Sequence, residues 1–430
     1  MSKPLSPTRA DRLLRMMRRE ATKMRDLQLS NILIEDEVFQ GDSVILGGRR
    51  LGNFGLCSYL ALGDDPRLKE AAKDAIDRFG TSYSSTPYYS SSPLQGELQD
   101  LLTRVFEAEV IVTASTTMGH LSALPVLIGS RDLVLVDSQT HTSVITATQG
   151  SVAAGVPVIP VPHNDMKALE RAIAADRDAE RIWYLTDGVF SMYGDAAPSV
   201  AIGDLLDRYP KLHVYCDDAH GFGWAGRHGR GKFLENLDWH DRLVVVVGLA
   251  KGFGSLGGAI AIRDAELADY IRLCGPGLMF GGPVPPPNMG ASVAAAQILL
   301  SDELPELQRA LMDRIRLVNR FSGEIGLPLV STEDTPIWFH EVGGLDDMMR
   351  LCTVMKDRGF YLNGSGFPAV PHGHAGVRFT VTRDNSPQQI EDMLVSLNEA
   401  RLELFGETEV VIELEDETSE GRAGASRKAK

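Results

Sequence analysis

The sequence predicts an α/β protein, with a large domain built on a mainly parallel seven-stranded sheet and a smaller C-terminal α/β domain. From about residue 55 to 270, short β-branched runs alternate with longer amphipathic stretches, which is typical of parallel strands joined by helices. Several runs are apolar throughout, as expected when helices cover both faces of a sheet. At 430 residues the chain exceeds the length at which one core usually keeps growing, so a second domain is expected.

Seven apolar runs are the candidate strands of the large sheet. They lie at 110–113, 133–137, 156–161, 182–186, 213–217, 243–247 and 259–262. A stretch dense in Gly and Pro, residues 275–287, cannot continue a helix and predicts an extended loop before the second domain. Beyond it we expect helices near 292–300, 305–325 and 345–358 and strands near 336–342 and 377–381.

The chain divides into four predicted parts. They are an N-terminal helical arm at 1–50, a large domain at 51–285, a small C-terminal domain at 286–405 and a charged tail at 406–430. The tail ends in GRAGASRKAK, and its composition predicts disorder. Within the arm, residues 9–25 are basic and amphipathic, which predicts a helix packed on a partner subunit.

The overall charge and the cysteine content exclude several classes of function. A formal net charge of -15 disfavours nucleic acid and anionic membranes as partners. We find neither an apolar run of the ~20 residues that span a bilayer nor the apolar core of a signal peptide. The four cysteines are too far apart to predict a disulfide framework or a zinc knuckle, so a cytoplasmic setting is expected.

Reactive side chains follow three of the predicted strands. Ligands of open α/β sheets bind at the carboxyl ends of the strands, so polar residues there carry most weight. One strand ends at Asp217, with His220 three residues on, and another leads to Lys251. A third leads to a hydroxyl-rich helix start formed by Ser115, Thr116 and Thr117.

These groups are the ones that a pyridoxal 5'-phosphate (PLP) site requires, namely an imine-forming lysine, an acid for the pyridine nitrogen and donors for the phosphate. Lys251 lies among glycines and should be partly desolvated, which lowers its pKa and frees the amine. Asp217 would face the pyridine nitrogen, and residues 115–117 would bind the phosphate. Taken alone, such a lysine is more often a surface residue and such a Ser/Thr cluster an N-cap.

Several motifs resemble those of the α-oxoamine synthases, a family of fold-type I PLP transferases that condense an amino acid with an acyl thioester. The most specific is YCDDAHGFGWAGRHGRG, at residues 215–231. The others are TDGVFSMYGDAAP at 186–198, GLAKGFGSLGG at 248–258, HND at 163–165 and FPAVPHGHAGVRFTVT at 367–382. The resemblance covers roughly residues 45–400 and implies that the large domain binds PLP.

The resemblance also implies a role for individual residues around the cofactor. Lys251 would form the imine, Asp217 would bind the pyridine nitrogen, and His220 would bind the phenolic oxygen and tune the ring. His141 matches the histidine that stacks on the ring, and Ser191 is expected to be a further cofactor neighbour. Lys251 would also act as general base and acid.

On the substrate side, Arg378 matches the arginine that binds the substrate carboxylate, a task suited to its guanidinium fork. The expected partners are an amino acid and an acyl thioester, carried by coenzyme A or by a carrier protein. The resemblance further implies a homodimer with active sites between subunits. The amino acid and the acyl group stay open.

The chain departs from the family pattern at several positions. Gly248 and Ala250 stand where the family usually has Thr and Ser, which predicts a weaker phosphate grip. Gly281 and Gly282 replace a Ser/Thr pair that the partner subunit would supply, and SSSPLQGELQDL at 90–101 replaces a Gly-Thr-His segment. The Ser- and Tyr-rich stretch at 81–92 is a candidate wall of an unusual acyl pocket.

Two other kinds of site compete for the same residues. The glycines of residues 221–226 spell G-x-G-x-x-G with Asp241 further on, as in a dinucleotide site, but no amphipathic helix follows them. Asp217, Asp218 and His220 could ligate a metal, although no further paired ligands support this. We therefore expect neither a dinucleotide nor a metal.

Two other functions remain as alternatives. A PLP-dependent aminotransferase would share the lysine, the aspartate and the arginine, but the motif at 215–231 favours condensation. A catalytically silent subunit of a synthase complex is disfavoured by Lys251. His120 is interpreted as a structural residue.

Overall fold

The computed structural model describes residues 9–406, with side chains described from residue 11 onward, so the predicted disorder of the tail concerns residues outside the described range. The helices are α1 Arg9–Asp26, α2 Pro66–Phe79, α3 Pro93–Phe106, α4 Thr116–Leu127, α5 Thr142–Ala147, α6 Gln149–Ala153, α7 Met166–Ala175, α8 Ser199–Arg208, α9 Ala265–Cys274, α10 Pro276–Met279, α11 Pro286–Leu299, α12 Leu304–Glu324, α13 Leu345–Asp357 and α14 Pro387–Phe405. The strands are β1 Ser43–Leu46, β2 Arg49–Asn53, β3 Glu109–Thr113, β4 Leu133–Asp137, β5 Val158–Val161, β6 Ile182–Asp187, β7 Leu212–Asp217, β8 Leu243–Gly248, β9 Gly258–Ile262, β10 Ile337–Gly343, β11 Phe360–Tyr361, β12 Asn363–Ser365 and β13 Ala375–Thr380.

The predicted seven-stranded sheet is confirmed. Its strand order is β3-β9-β8-β7-β6-β4-β5, and every pairing is parallel except the two made by β9. Strand β5 begins two residues later than the sequence predicts. The carboxyl ends of β4, β6, β7 and β8 therefore meet at one edge, which is where a ligand is expected to bind.

Two hydrophobic cores cover the two faces of this sheet. In β8, Val245 and Val247 belong to one core, and Val244 and Val246 belong to the other. Successive side chains of a strand point to opposite faces, so both faces of β8 require apolar residues. This is why the run LVVVVG lacks the polar alternation of a half-exposed strand.

The C-terminal part contains a second, smaller sheet with helices packed beside it. Strands β10, β13 and β12 form an antiparallel sheet in that order. Helices α12 and α13 lie where the sequence predicts them, whereas α14 was not predicted. Together with the large sheet, these elements confirm the predicted α/β architecture, while the exact boundary between the domains stays a prediction.

Two details of the sequence-based prediction were wrong. The N-terminal arm is not purely helical, because β1 and β2 form a hairpin that turns through Gly47 and Gly48, both at positive φ. A Gly-Gly pair between extended segments is a known hairpin signal, so the sequence could have revealed it. The stretch 275–287 is not an extended loop throughout, since α10 lies within it and α11 begins at Pro286, a residue type suited to the first turn of a helix.

Helix α1 follows the predicted amphipathic segment, and Lys23 near its end forms an ion pair with Asp346 of α13. Its packing on a partner subunit stays a prediction. In the described part of the chain, no helix is both long and apolar enough to cross a membrane.

Candidate active site

The predicted strand ends converge at the carboxyl edge of the large sheet. Asp217 is the last residue of β7 and pairs in register with Val246 of β8. Lys251 follows β8 by three residues, and Thr116 opens α4 directly after β3. The side chain of Thr116 lies near Gly248, which itself lies next to Ala219, so the three segments form one continuous site.

Asp217 is a buried carboxylate with strong hydrogen-bond partners. It is 6% exposed, its Oδ1 accepts the N–H of Ala219 at 3.1 Å, and its Oδ2 lies 2.9 Å from Nε2 of His120. Burial favours the neutral acid, but His120, through its charge and its hydrogen bond, and the charge of Lys251 lower the pKa of Asp217 to about 2. The site thus holds a fixed negative charge at neutral pH.

Sequence reasoning treated His120 as structural and missed its contact with Asp217. The imidazole is fully buried, and its Nδ1 pairs with the hydroxyl of Tyr215 at 2.8 Å. The only available signal was its position one turn beyond Thr116 on the same face of α4. His120 therefore holds the orientation of Asp217 and connects it to a second buried strand residue.

Lys251 lies in the low-dielectric part of the site. Burial lowers the pKa of its amine, opposed by the charges of Asp217, Cys57 and Asp187. The loop that carries Lys251 requires glycine at position 254 for two reasons. Gly254 has φ +82°, and an added Cβ would lie 2.6 Å from the backbone nitrogen of Gly63. Lys251 consequently loses its proton at a lower pH than a surface lysine does.

His220 is buried next to Asp217 and pairs with a residue that the sequence did not indicate. Its Nδ1 lies 2.6 Å from the hydroxyl of Tyr59. Burial and the charges of Lys251 and Arg378 keep the pKa of His220 well below its usual value, so the ring is neutral. Burial also raises the pKa of Tyr59 well above its ordinary range, so the phenol keeps its proton.

His141 begins α5 and is positioned by the end of a neighbouring strand. Its backbone N–H donates to Oδ1 of Asp187 at 3.0 Å, and its Nδ1 contacts the hydroxyl of Ser143 at 2.7 Å. Asp187 ends β6 in register with Asp217, and burial together with the charge of Asp217 raises its pKa well above the ordinary value. Sequence reasoning missed Asp187, although its place at a strand end was a usable signal.

The start of α4 forms the predicted anion side of the site. The hydroxyl of Ser115 accepts the N–H of Met118 at 3.1 Å, so Ser115 is the N-cap. Thr116 and Thr117 follow in the first turn, where backbone N–H groups point away from the helix. At Gly248 an added Cβ would lie 3.0 Å from the hydroxyl of Thr116, and at Gly258 it would lie 2.6 Å from the nitrogen of Thr116.

Arg378 lies in β13 and reaches the site from the smaller sheet. It is 5% exposed, and its Nε donates to the carbonyl of Ser191 at 2.5 Å. Its Nη2 donates to Sγ of Cys57 at 3.6 Å. Ser191 thus contacts Arg378 through its backbone, and its predicted contact with a cofactor stays a prediction.

A cavity of about 470 Å³ adjoins the site at His141 and Ser191, and its lining also includes Ile145, Phe190, Tyr193 and Phe367. The mixture of apolar walls with a few polar groups is typical of small-molecule sites. Lys251 therefore lies within electrostatic range of Asp217, His141, His220 and Arg378, and the cavity opens beside His141.

With this geometry in place, the profile of the aminotransferase class I and II family matches residues 53–397. The chain belongs to this family. The matched span includes every predicted site residue, from Ser115 to Arg378.

Relatives within the aminotransferase class I and II family are similar over most of the chain. The 8-amino-7-oxononanoate synthase of Geobacter sulfurreducens is 31% identical over 361 residues, which cover 83% of this chain and 90% of that protein. The serine palmitoyltransferase of Sphingobacterium spiritivorum is 29% identical over 371 residues, which cover 85% of this chain and 91% of that protein.

Solved structures with the same fold include two serine palmitoyltransferases. The enzyme from Sphingomonas wittichii has a TM-score of 0.83 at 22% identity and covers 94% of this chain and 99% of its own. The enzyme from S. paucimobilis, solved with bound PLP and myriocin, has a TM-score of 0.84 at 20% identity and covers 91% and 98%. These likenesses establish the fold-type I architecture.

The dinucleotide interpretation finds no support in the geometry. Gly226 is followed by a single short turn at Arg227–Gly229 rather than by a helix that could bind a pyrophosphate. Among residues 11–406, no group of three or more His, Cys, Asp and Glu side chains is arranged to hold a metal ion.

Proposed function

We propose that this chain is a PLP-dependent α-oxoamine synthase, which condenses an amino acid with an acyl thioester to an α-amino ketone, usually with loss of carbon dioxide. The observation that carries the proposal is that two groups near neighbouring strand ends, the buried, ionised Asp217 and the partly buried, desolvated Lys251, lie within electrostatic range of each other. Relatives that bear the names of such synthases match more than four fifths of the chain.

The residues at the carboxyl edge fit PLP. Asp217 supplies the permanent negative charge that a protonated pyridine nitrogen needs, and Lys251 supplies the amine that holds the aldehyde. When bound, the cofactor supplies an electron sink for negative charge on the α-carbon of the substrate. Glycine at 248 and 258 avoids side chains that would crowd the hydroxyl and the N–H of Thr116, the groups at the start of α4 that would bind a phosphate.

The structure suggests how the phosphate side compensates for Gly248, where the family usually has a threonine. The hydroxyl of Thr116 lies 3.0 Å from the position of the missing Cβ. A side chain at 248 would crowd that hydroxyl, whereas glycine leaves it available. Thr116 is thus our candidate for the hydroxyl donor that the family places at position 248.

The remaining residues have separate tasks in the proposed reaction. Lys251 takes the α-proton of the substrate or returns a proton to the product, for which its lowered pKa is suited. A Tyr59 phenol that donates to Nδ1 of His220 leaves a hydrogen on Nε2, which can then bind the phenolic oxygen of the cofactor. His141 would pack on the cofactor ring, and Arg378 would bind the substrate carboxylate.

We further propose a homodimer in which a partner covers the loop around residue 280 and the stretch at 81–92, which lie side by side in this chain. Phe280 is 82% exposed and Tyr89 is 80% exposed, a degree of exposure that favours a covering surface for both aromatic rings. The acyl donor is a thioester of coenzyme A or of a carrier protein. The free state of Cys57, Cys216, Cys274 and Cys352 supports a cytoplasmic setting.

Two alternative functions remain distinguishable. An aminotransferase would use Lys251, Asp217 and Arg378 but would release a keto acid and no thiol. A silent subunit would not need a partly buried lysine of lowered pKa near an ionised aspartate, so the desolvation of Lys251 disfavours it.

The proposal is tested by spectroscopy and by product analysis. Purified protein with PLP should absorb at the visible imine band, and Lys251→Ala should lose the band while keeping its circular dichroism. Lys167→Ala, which removes an exposed lysine of α7, is the control and should keep the band. Glycine, L-alanine and L-serine are then each supplied with short and long acyl-CoA thioesters, and released thiol is measured against keto acid. Keto acid without thiol would identify an aminotransferase instead.

A further inference from the structure

Arg378 has an unexpected neighbour on the substrate side, the partly buried thiol of Cys57. The contact from Nη2 to Sγ is 3.6 Å. Within the described residues no carboxylate pairs with Arg378, so its buried charge faces the carbonyl of Ser191, the thiol and the phenol of Tyr59. A buried guanidinium in this state is ready to accept an anion.

The position of Cys57 is built into the fold. The backbone immediately before it is bound to β13, the strand that carries Arg378. The N–H of Thr380 donates to the carbonyl of Phe54 at 2.9 Å, and the hydroxyl of Thr380 donates to the carbonyl of Leu56. Arg378 and Thr380 lie two residues apart on one strand and therefore face the same side. The thiol and the guanidinium are consequently held together by backbone contacts.

The charges around Cys57 favour its thiolate. Burial has the largest effect and raises the pKa of the thiol. The charge and hydrogen bond of Arg378, together with the charge of Lys251, outweigh it and lower the pKa of Cys57 below its usual value. Tyr59 is the further titratable group that faces the thiol, and its phenol stays protonated. Cys57 can thus provide the negative charge that Arg378 otherwise lacks.

We propose that Cys57 shares the guanidinium of Arg378 with the substrate carboxylate and so determines how tightly carboxylate substrates bind. The inference rests on the proposed function, because it takes Arg378 as the carboxylate-binding residue. A carboxylate that enters beside the thiolate would place two anions on one guanidinium. Binding is therefore accompanied by transfer of one proton from solvent to Sγ of Cys57, which leaves a neutral thiol beside the new ion pair.

This coupling makes carboxylate affinity depend on pH through Cys57. Above the pKa of the thiol, each binding event must take up a proton, so the dissociation constant should rise by up to about tenfold per pH unit. Replacing the thiol by a hydroxyl, which stays neutral, removes the competing anion and the proton uptake. Cys57→Ser should then bind carboxylates about tenfold more tightly than the natural protein one pH unit above that pKa.

The test uses PLP-loaded protein and propionate, a carboxylate without an amine, so that imine exchange at Lys251 plays no part. Titration calorimetry between pH 7 and 9.5, in buffers of different ionisation enthalpy, gives both the dissociation constant and the number of protons taken up. Cys57→Ser and Cys57→Ala are compared with Cys274→Ser, a matched control at an exposed cysteine. Arg378→Gln reports whether the arginine binds the carboxylate at all.

We expect proton uptake and pH-dependent affinity in the natural protein and in Cys274→Ser, and neither in the two Cys57 variants. The measurement on the natural protein needs no variant, so a folding defect in Cys57→Ala leaves the test intact. Unchanged proton uptake in Cys57→Ser, with binding abolished in Arg378→Gln, would overturn the role of Cys57 alone. Undiminished binding in Arg378→Gln would overturn that role and the proposed carboxylate site together, while a missing visible imine band would count against the proposed function itself.

Discussion

Two histidine–aspartate networks, one buried and one partly buried, lie along the same edge of the large sheet, and they differ in which partner carries the dominant charge. At the end of β7, His120 lies between Asp217 and Tyr215. Beyond the end of β4, His163 lies between two carboxylates, with its Nδ1 2.8 Å from Asp137 and its Nε2 2.6 Å from Asp195. The residue types are nearly identical, yet the charges are arranged in opposite ways.

In the first network the dominant charge is the negative charge of the carboxylate. The pKa of Asp217 is held at about 2, and Lys251 lies within electrostatic range of it, so its negative charge is directed at the site. In the second network the histidine is the group whose ionisation is shifted, toward its positively charged form. Burial disfavours the charged ring, but the hydrogen bonds and charges of Asp137 and Asp195 raise the pKa of His163 to about 9.

The comparison indicates what a histidine–aspartate pair needs in order to act on a ligand. A third charged group, Lys251 in the first network, must lie within range of the pair. Both ring nitrogens of His163 are taken by carboxylates, so this network is closed on itself. It joins β4 to the turn at 190–195, in which Phe190 N–H donates to the carbonyl of Asp195. The carbonyl of Ser191 in the same turn accepts a hydrogen bond from Arg378. We call Asp137, His163 and Asp195 the clamp, because they hold this turn on the substrate side.

The largest expected effect is the loss of the charge on Asp217. Asp217→Asn keeps the shape but removes one partner of a buried charge pair, which costs about 3–5 kcal/mol. When that loss falls on the transition state, turnover decreases by about 10²–10⁴-fold. Thiol-release kinetics measure it. Asp137→Asn is the matched change in the His163 network, and this variant should retain turnover while its free energy of unfolding decreases. An equal loss of turnover in both variants would contradict the proposed difference between the two networks.

The second effect is a pH dependence of stability that originates in His163. Its folded pKa of about 9 exceeds the unfolded value of about 6.5, so its contribution is complete below pH 6.5 and is lost as the pH rises through 9. The shift corresponds to about 3 kcal/mol. Urea unfolding at pH 6 to 9.5 should therefore show a decline in the natural protein that is absent in His163→Gln. Parallel curves would contradict the clamp.

A smaller effect is expected at His120, which acts on the reaction through Asp217. His120→Ala removes a hydrogen bond to a buried carboxylate, worth about 1.5 kcal/mol and thus about tenfold in turnover. The pKa of Asp217 should rise, so the acidic limb of the activity profile should move to higher pH. His120→Gln, which can still donate to Asp217, should restore part of the rate. A merely structural role would lower stability without moving that limb.

The smallest effect is expected at the outer carboxylate of the clamp. Asp195→Asn keeps an acceptor for His163 but loses the charge, and we expect the free energy of unfolding at pH 7 to fall by about 1 kcal/mol. Turnover should stay within about twofold, since Asp195 is 16% exposed and its charge is not directed at Lys251. A visible-band change in this variant would indicate that the two networks are coupled.

Much of the fold could be predicted because its signals are local. The seven strands of the large sheet are apolar runs of four to six residues, and each was recognisable without knowledge of its neighbours. The unpredicted hairpin β1–β2 has strands of four and five residues that include polar side chains, so only its Gly47–Gly48 turn gave a usable signal. Helix α10 has four residues, too few for a helical period to be visible.

The residues of the candidate site also fall into two groups, those that local sequence signals predicted and those that only long-range packing brings together. Asp217, His220 and Lys251 follow strand ends and glycine-rich turns, and these are properties of short sequence windows. By contrast, the pairs His120 with Asp217, Tyr59 with His220 and Cys57 with Arg378 join residues 97, 161 and 321 positions apart. Which of these side chains meet depends on the packing of whole elements, and no periodicity records it.

The sequence by itself therefore determined the α/β architecture, the edge at which the candidate site lies and the residue types available there, because hydrophobic periodicity and turn chemistry act over a few residues. Only the tertiary structure decided which charges face one another. It joined a thiol that follows β2 to an arginine in β13, and it closed one histidine–aspartate network while leaving the other directed at Lys251. The reason is physical, since the ionisation of a buried group depends on the distances and burial of all its neighbours, wherever they lie along the chain.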